Sequence, residues 1–504
     1  MTASPYTIQA IDPLEKKQTA PLHPDPEGAQ REDALAFLAK IKSTDDAHPM
    51  HWVWYKKWFI VVVYCLQIFV TLTSTTYVSV EFIIMEKWTS SQQVATLGQS
   101  LLIVGTVVGP VFLGSLSDIG GRKWVYVGSI FLYAILNIGT ALADNLPMLI
   151  IFCFLIGVAG SSALSNVAGT IADLFGDADN AAQPMALFVL IANFDPSLGS
   201  PIGEWIAENE SLSWRWIFYI NIIIGGVFFV LLCFMPETLP RIVISNPVKS
   251  RGNVDRNTID IAMGSSKISV LDELEFVATV ALRIMFVEPI VISLGLYNEF
   301  AYGLLFLFLD GVFDVFVVNN GLSYIGASLT YLNFCVGVTA TFLFVPVQTY
   351  LFKRDRLKHG HLRPEARFLT SLLTNTAPAG STSYWSPIVS GGVLGFCDPL
   401  VWLAMLNYIT NSYPNVAASA IAAFLIPSFL IAAGCAHAGV AMFTNINEKW
   451  AFVTLGFISI GLVVLVYVLF ILGPNLRKWS KLADPFEGEY FENKNRVEVG
   501  DMQL

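Results

Sequence analysis

The sequence predicts an all-α integral membrane protein, on the strength of its composition and its recurring apolar runs. Of the 504 residues, 54% are hydrophobic and only 13% are charged, and the mean hydropathy is +0.60. Soluble domains usually have about 25% charged residues. A helix that crosses a bilayer needs about 20 consecutive, mostly apolar residues, and such runs recur between residues 57 and 473. We therefore expect a multi-pass protein embedded in the lipid bilayer.

The apolar runs form two groups, separated by a polar segment that contains several arginine and lysine residues. Six runs come first, near residues 57–80, 94–116, 124–143, 147–171, 184–206 and 215–235. Five follow, near residues 284–309, 323–352, 388–409, 416–443 and 451–473. The predicted organisation is a disordered cytoplasmic N-terminal tail (1–56), a six-helix half (57–238), a cytoplasmic central loop (239–283), a C-terminal helical half (284–474) and a cytoplasmic C-terminal tail (475–504).

Basic residues predict the orientation of these runs, because arginine and lysine in short flanking loops stay on the cytoplasmic side. They cluster after the second run, in the central loop, in segment 353–367 and after the last run. A cytoplasmic C-terminus then requires one span more than the apolar runs supply. The missing ninth helix should lie between residues 367 and 385, where the sequence is short, polar and broken by Pro378. We predict a shortened or degenerate ninth helix; an external C-terminus is the alternative.

The stretch GSLSDIGGRK, residues 114–123, places charged residues between the second and third runs. Its pattern G-x-x-x-D-x-x-G-R-[RK] resembles the signature loop of the major facilitator superfamily, matched here by Gly114, Asp118, Gly121, Arg122 and Lys123. The resemblance implies a major facilitator fold of two six-helix halves. It also implies a cytoplasmic gate, in which Asp118 pairs with basic groups across the glycine turn. The alternative is a basic loop that only sets the orientation.

Further segments resemble one branch of that family, the fungal drug:proton antiporters with twelve spans. They are SWRWIFYINIIIGG from Ser213 with the following Pro-Glu-Thr, EPIVISLGLYNEFAYGLLFLF from Glu288, and NYITNSYPNVAASAIAA from Asn407. The resemblance implies a plasma-membrane exporter of drugs or small secondary metabolites that works by alternating access. It further implies a small-molecule substrate, protons as the coupling ion, no cofactor and a monomeric protein.

The chain departs from this branch at two positions that bear on proton coupling. Cys153 stands where the fourth helix of the family normally holds a buried arginine, and Asp195 stands where a glycine is usual in the fifth helix. A cysteine cannot carry a permanent positive charge. Either coupling uses other groups, or the protein is not a conventional proton antiporter.

Several polar residues lie inside apolar runs, where a charge at the bilayer centre costs roughly 2.5 to 3.5 kcal/mol. The candidate proton or substrate sites are Asp195, Asn298, Glu299, Tyr302 and Asp398. Glu299 lies beside Asn298, and Tyr302 follows three residues later, a spacing that places two side chains on one helix face. A buried carboxylate beside a hydroxyl suits a group that gains and loses a proton during transport. The alternative is carboxylates satisfied by neighbouring polar side chains.

Other functions are excluded or less favoured by the sequence. No G-x-x-x-x-G-K-[ST] loop is present, so ATP-driven transport is not expected. No nucleophile and base gather in an exposed loop, so we expect no enzyme; the six cysteines show no metal-ligand spacing, and the net charge of −10 offers no nucleic-acid surface. Three alternatives stay open: a symporter or uniporter of a polar metabolite, a non-transporting membrane receptor or scaffold, and an inactive chain from a decayed or misread gene.

Overall fold

A computed structural model describes most of the chain between residues 48 and 467. The described residues are 48–176, 178–240, 242–243, 279, 282–314, 316–317, 321–359, 385–412, 417–446, 450–451, 453–461, 464–465 and 467. The predicted ninth helix falls in 360–384, outside them. Most of the predicted central loop, the N-terminal tail up to residue 47 and the C-terminal tail also lie outside.

Within the described residues, every regular element is helical, as the sequence predicts. The α-helices are α1 (Trp54–Leu66), α2 (Thr73–Val78), α3 (Glu81–Lys87), α4 (Gln92–Gly120), α5 (Arg122–Ala141), α6 (Leu146–Gly160), α7 (Ser162–Phe175), α8 (Ala178–Ala207), α9 (Trp216–Cys233), α10 (Pro289–Asp314), α11 (Tyr324–Leu329), α12 (Leu332–His359), α13 (Trp385–Ser412) and α14 (Ala417–Asn445). In this part of the chain, nine helical stretches are long and apolar enough to cross a bilayer.

The first span is not one continuous helix. A 3₁₀ segment, Gln67–Leu72, separates α1 from α2. Hydroxyl side chains bond to backbone carbonyls here, because Thr73 Oγ1 donates to Val70 O at 3.3 Å and Thr76 Oγ1 donates to Thr73 O at 3.3 Å. Such local bonds compete with a regular helix. The break could not be predicted from the sequence, because it lies within an apolar run. A small cavity of about 10 Å³ lies beside it.

Glycine lets α4 and α6 approach each other closely. A Cβ atom on Gly157 would collide with the carbonyl oxygen of Leu102 and would lie 3.1 Å from the Cα of Gly105. Membrane helices associate through such small residues, because lipid provides no hydrophobic force between them. The contact between these two helices therefore requires glycine at 157.

We predict that Gly157→Ala lowers the thermal midpoint of the detergent-solubilised protein, because overpacking costs about 1 to 3 kcal/mol. The matched control is Gly128→Ala in α5, where an added Cβ meets nothing within 4 Å. That control should leave the midpoint unchanged or raise it, since alanine is the better helix former. Equal midpoints for both variants in a fluorescence melting assay would contradict the close contact.

Helices before residue 240 contact helices after residue 282 along two seams. In the first seam, α4 packs on α14, and Ser100 Oγ donates to Ala433 O at 3.2 Å. In the second, α8 packs on α12 through a hydrophobic group formed by Leu190, Phe194, Phe334 and Val338. Polar and apolar contacts thus join the N-terminal and C-terminal helices.

A cation–aromatic cluster joins the ends of α3 and α5 to the start of α9. The Lys87 ammonium lies 4.6 Å from the ring centre of Trp88 and 4.9 Å from that of Trp214. Arg215 lies over Trp214 at 5.5 Å and reaches Asp144 Oδ1 at 3.7 Å. Partial burial, followed by the nearby Arg215 charge, lowers the pKa of Lys87. The cluster therefore holds together the segments that follow α3 and α5 and the segment that precedes α9.

Candidate functional site

The turn between α4 and α5 is built on a glycine with a left-handed backbone. Gly121 has φ +101°, and a Cβ atom there would lie 2.6 Å from Glu237 Oε2. Residues with a side chain rarely adopt such a φ angle. The sequence GGRK therefore allows α4 to end at Gly120 and α5 to begin at Arg122 without an intervening loop.

Glu237 caps the start of α5 from the far side of this turn. Its Oε1 accepts a hydrogen bond from the Arg122 backbone N at 3.1 Å, and its Oε2 accepts one from the Lys123 backbone N at 3.2 Å. The first N–H groups of a helix have no partner inside the helix, and they form the positive end of the helix dipole. Oε1 also accepts from the backbone N of Thr238 and Leu239, each at 2.9 Å. The carboxylate thus joins α5 to the segment after α9.

The Arg122 side chain is buried and paired. Its Nε donates to Asp173 Oδ2 at the end of α7, and the two side chains are only 10% and 16% exposed. Arg122 Nη1 also lies 3.5 Å from Ser117 Oγ, which donates to Asn166 Oδ1 at 2.9 Å. Removing one partner of a buried ion pair is costly, because the other charge stays behind uncompensated. We call Arg122, Asp173 and Glu237 the Arg122 network.

The structure tests the predicted gate motif only in part. Gly121 and Arg122 are at the centre of the network, whereas Lys123 contributes its backbone N–H and places its ammonium 5.5 Å from the Trp124 ring. The side chain of Asp118 lies outside the described residues. Gly114 stands two turns before the loop, where an added Cβ would meet nothing within 4 Å.

Sequence reasoning missed Asp173 and Glu237 as the described partners of this loop. A signal was available, because both carboxylates follow apolar runs that end on the same predicted side of the membrane as Arg122. A buried arginine needs an acidic partner, and the nearest candidates are carboxylates at the ends of apolar runs on the same side of the membrane. Contact between them could only be established by the packing of α5, α7 and α9.

We predict that Glu237→Ala destabilises the fold by about 2 kcal/mol, the usual worth of hydrogen bonds to a charged group. Four backbone N–H groups lose their acceptor, so the melting midpoint should fall. Glu237→Gln keeps one amide oxygen and should fall less. Glu208→Ala, at an exposed glutamate, is the matched control. An unchanged midpoint for Glu237→Ala would contradict the capping role.

A second site of interest lies between α10 and α14. Asn298 Nδ2 donates to Ser428 Oγ at 2.7 Å, and the rings of Tyr302 and Phe429 meet edge to face with their centres 5.2 Å apart. Asn298 and Ser428 are buried. We call these four residues the central cluster. It offers two aromatic rings, an amide and a hydroxyl at one place.

Tyr302 connects the central cluster to both seams. It packs against Ile103, Ala432 and Ala433 of the first seam. It also packs against Phe334 and Val338 of the second seam, against which Leu394 of α13 packs as well. This half-buried tyrosine therefore lies where six helices pack together.

Two other candidate residues, Asp398 and Asp195, lie on α13 and α8. Asp398, half-buried, stands one turn from Leu394 and one turn from Trp402, whose ring lies 6.0 Å from that of Phe188 on α8. The face of α13 that carries Asp398 therefore points to the helix interfaces. Asp195 follows Phe194 in α8, and its side chain lies outside the described residues.

Glu299 is a neighbour of Asn298 on α10, but none of the described contacts joins its carboxylate to the central cluster. The flanking residues Leu296 and Phe300 are 44% and 50% exposed, which marks a lipid-facing stripe. Among the described residues, the Glu299 carboxylate has no hydrogen-bond partner; its Oε1 lies beside Gly295. The structure places Tyr302 with Asn298 against α14 and leaves Glu299 at the edge of the lipid-facing stripe.

Cys153 lies fully buried in α6. It belongs to the main hydrophobic core. The position that holds an arginine in the resembling family thus has no charge, and its surroundings are apolar.

A family model described as Major Facilitator Superfamily matches residues 63–426. The chain belongs to the Major Facilitator Superfamily. Among solved structures, the proton:xylose symporter XylE bound to 6-bromo-6-deoxy-D-glucose matches with a TM-score of 0.59 at 15% sequence identity, over 82% of the chain and 96% of XylE. This likeness shows the major facilitator fold. The predictions of the family, of an all-α major facilitator fold and of a multi-pass membrane protein are confirmed. The two six-helix halves and the shortened ninth helix stay predictions.

Similar proteins in this superfamily are transporters. An uncharacterized transporter of Schizosaccharomyces pombe is 46% identical over 501 residues, which cover 95% of this chain and 92% of that protein. The vitamin B6 transporter bsu1 of the same species is 43% identical over 456 residues, or 88% of this chain and 86% of that protein. The multidrug transporter TPO1_2 of Candida glabrata is 29% identical over 456 residues, or 87% and 78%. This chain is a secondary transporter and not an enzyme.

Proposed function

We propose that this transporter takes up a small hydroxylated heteroaromatic compound of the vitamin B6 class across the plasma membrane, together with protons. The observation that carries the proposal is its 43% identity to a vitamin B6 transporter along most of both chains. The relationship to a multidrug transporter is weaker, at 29%. The alternative of a symporter for a polar metabolite is thereby preferred over the exporter first expected.

The central cluster suits such a substrate chemically. A small aromatic ring can stack on Tyr302 or Phe429, and aromatic pairs contribute about 0.5 to 1.5 kcal/mol beyond the burial of their surface. Ring hydroxyls can exchange hydrogen bonds with Asn298 and Ser428, which already bond to each other. Pockets for small ligands combine apolar walls with a few placed polar groups. The cluster has this composition.

Asp398 is our first candidate for the proton site. It stands on the face of α13 that is directed to the helix interfaces, and a carboxylate in a transmembrane helix marks a candidate proton or ion site. Glu299 is the second candidate, and Asp195 the third. Because Cys153 carries no charge, coupling in this proposal does not use an arginine in α6.

Transport by alternating access requires the two seams to open in turn. We propose that the Arg122 network controls the cytoplasmic end, while the α4–α14 seam controls the outer end. The transporter acts as a monomer in this scheme, because all the proposed groups lie in one chain.

The direct test is uptake of labelled pyridoxine by yeast cells that lack their own uptake system. Expression of this chain, tagged to verify its presence at the plasma membrane, should give saturable uptake that a protonophore abolishes. Export is the second candidate function, favoured by the multidrug relative and by the Pro-Glu-Thr segment. No pyridoxine uptake, but lower accumulation of fluorescent drugs, would replace the proposal by export. No transport of either would point to an inactive chain.

We predict that Phe429→Ala lowers pyridoxine uptake at low concentration about five- to tenfold, the effect of losing one aromatic contact. Tyr302→Phe retains the ring and should lose less. The matched control is Phe300→Ala on the same helix as Tyr302, because Phe300 is 50% exposed. Protein at the cell surface is quantified for each variant. Equal losses in Phe300→Ala and Phe429→Ala would remove the cluster from the binding site.

Proton coupling is tested in proteoliposomes with and without an imposed pH gradient. Asp398→Asn should abolish accumulation driven by the gradient while exchange of substrate between the two sides persists, since an amide cannot carry the proton. Glu299→Gln should have a smaller effect, and exposed Glu208→Gln should have none. Gradient-driven accumulation at the wild-type level in Asp398→Asn would exclude this carboxylate. Wild-type uptake indifferent to the gradient would exclude proton coupling altogether.

A further inference from the structure

Polar side chains line the inner face of the first span around its 3₁₀ break. At the start of the break, Gln67 Nε2 donates to Ser162 Oγ of α7 at 3.2 Å, and Ser129 Oγ of α5 donates to the same oxygen at 2.5 Å. Just beyond the break, the hydroxyl oxygens of Thr73 and Tyr133 lie 2.7 Å apart. All five residues are buried. Hydrogen bonds, and not only apolar packing, therefore hold the first span to α5 and α7.

Three buried polar atoms around the contact between Gln67 and Ser162 have no hydrogen-bond partner among the described residues. They are Tyr64 OH, Gln67 Oε1 and Asn166 Nδ2, and the three residues are at most 1% exposed. Tyr64 precedes Gln67 by three residues and Asn166 follows Ser162 by four, so each stands about one helical turn from the contact. Native proteins leave few buried polar groups unpaired, and each one needs an explanation. A bound ligand that satisfies all three atoms provides one.

Such a ligand must both donate and accept hydrogen bonds. The Gln67 oxygen can only accept a bond, the Asn166 amide nitrogen can only donate one, and the Tyr64 hydroxyl can do either. A metal cation would be repelled by the Asn166 amide N–H groups, and an anion would be repelled by the Gln67 oxygen. Water fits both, and a buried water molecule typically makes about three hydrogen bonds to such groups.

A small cavity lies at the other end of the break. Its volume is about 10 Å³, and its polar wall is formed by Thr73, Thr106 and Tyr133, while the remaining lining residues are apolar or glycine. A buried water molecule needs roughly 10 to 15 Å³ of such space and two to four polar partners. The cavity therefore has the size and the hydroxyl groups for one water molecule.

We propose that ordered water molecules bind at both ends of the break in the first span and complete the hydrogen bonds of the buried groups there. The first site is formed by Tyr64, Gln67 and Asn166, and the second by Thr73, Thr106 and Tyr133. The proposal depends neither on the substrate nor on the direction of transport.

The first water site is connected to the Arg122 network through Asn166. Asn166 Oδ1 accepts a hydrogen bond from Ser117 Oγ at 2.9 Å, and Arg122 Nη1 lies 3.5 Å from that hydroxyl. Water bonded to Asn166 Nδ2 thus joins the first span to the helices that hold the buried guanidinium. Because water can exchange partners, Gln67 and Asn166 keep their hydrogen bonds when the cytoplasmic end rearranges.

Radiolytic footprinting tests both sites, because brief X-ray exposure converts bound water to hydroxyl radicals that oxidise the adjacent side chains. The purified full chain is exposed in lipid nanodiscs, and mass spectrometry gives the oxidation rate of each side chain relative to the denatured chain. Tyr64 and Tyr126, whose rings stack with their centres 4.1 Å apart, report the first site, and Tyr133 reports the second. All three should oxidise several-fold faster than Phe424, a fully buried ring in the hydrophobic core. Oxidation of Tyr64 and Tyr133 at the rate of Phe424 would overturn the proposal.

Variants that remove one polar partner assign the water to its site. Gln67→Leu should slow the oxidation of Tyr64 several-fold, and Thr106→Val, which keeps the shape of the side chain, should slow that of Tyr133. The matched control is Asn221→Leu, at a buried amide in α9 that donates to the carbonyl of its own helix. This control should leave both rates unchanged. Wild-type rates in Gln67→Leu and Thr106→Val would contradict the assigned sites.

The melting midpoint of Tyr64→Phe provides a readout that does not depend on radicals. If water bonds to the Tyr64 hydroxyl, its removal lowers the midpoint; a hydroxyl without any partner destabilises the fold, so its removal would raise the midpoint. We expect a fall comparable with that of Tyr126→Phe, whose hydroxyl lies 3.3 Å from Thr170 Oγ1. A higher midpoint for Tyr64→Phe would overturn the first site.

Discussion

The guanidinium of Arg122 is a buried charge, and one end of the bundle is arranged around it. Asp173 pairs with this guanidinium, and Glu237 caps α5, the helix that begins at Arg122. The network thus fixes α5, α7 and the segment after α9 relative to one another. A buried ion pair contributes little net stability, because desolvation offsets most of the attraction. The ion pair instead makes this arrangement of helices specific, because a charge that has lost its partner cannot stay buried.

The opposite end is held by weaker, neutral contacts, and this asymmetry matters for a carrier. Ser100, Gln93 and His437 join α4 to α14 through hydrogen bonds that water can replace when the seam opens. Each such bond is worth about 1 kcal/mol net, so few interactions separate the closed from the open state. Strong pairing at one end and adjustable pairing at the other suit alternating access.

Between these ends, Tyr302 joins the proposed substrate site to both seams. It contacts the ring of Phe429 and the apolar groups of both seams. A ligand that stacks on these rings changes the packing on which closure depends. Protein interiors are close-packed and respond to such changes by moving between discrete arrangements. In this account, substrate binding and closure share the same side chains.

Much of this molecule follows from local sequence. Apolar runs of about 20 residues require helices in a bilayer, because lipid cannot satisfy backbone polar groups. Gly121 requires a tight turn, and its flanking charges predict the orientation. The break at Gln67–Leu72 was less visible, since the competing hydroxyl bonds lie within an apolar run.

The partners of the charges were decided by tertiary structure alone. Arg122 meets Asp173 and Glu237 from positions 51 and 115 residues away, and Gln93 meets His437 across 344 residues. Helical periodicity places a side chain on a face, but it does not say which helix that face meets. For the same reason Glu299, a strong candidate by composition, stands beside a lipid-facing stripe, while its neighbour Asn298 bonds to Ser428. Sequence determined which residues enter the membrane, and packing decided which of them meet.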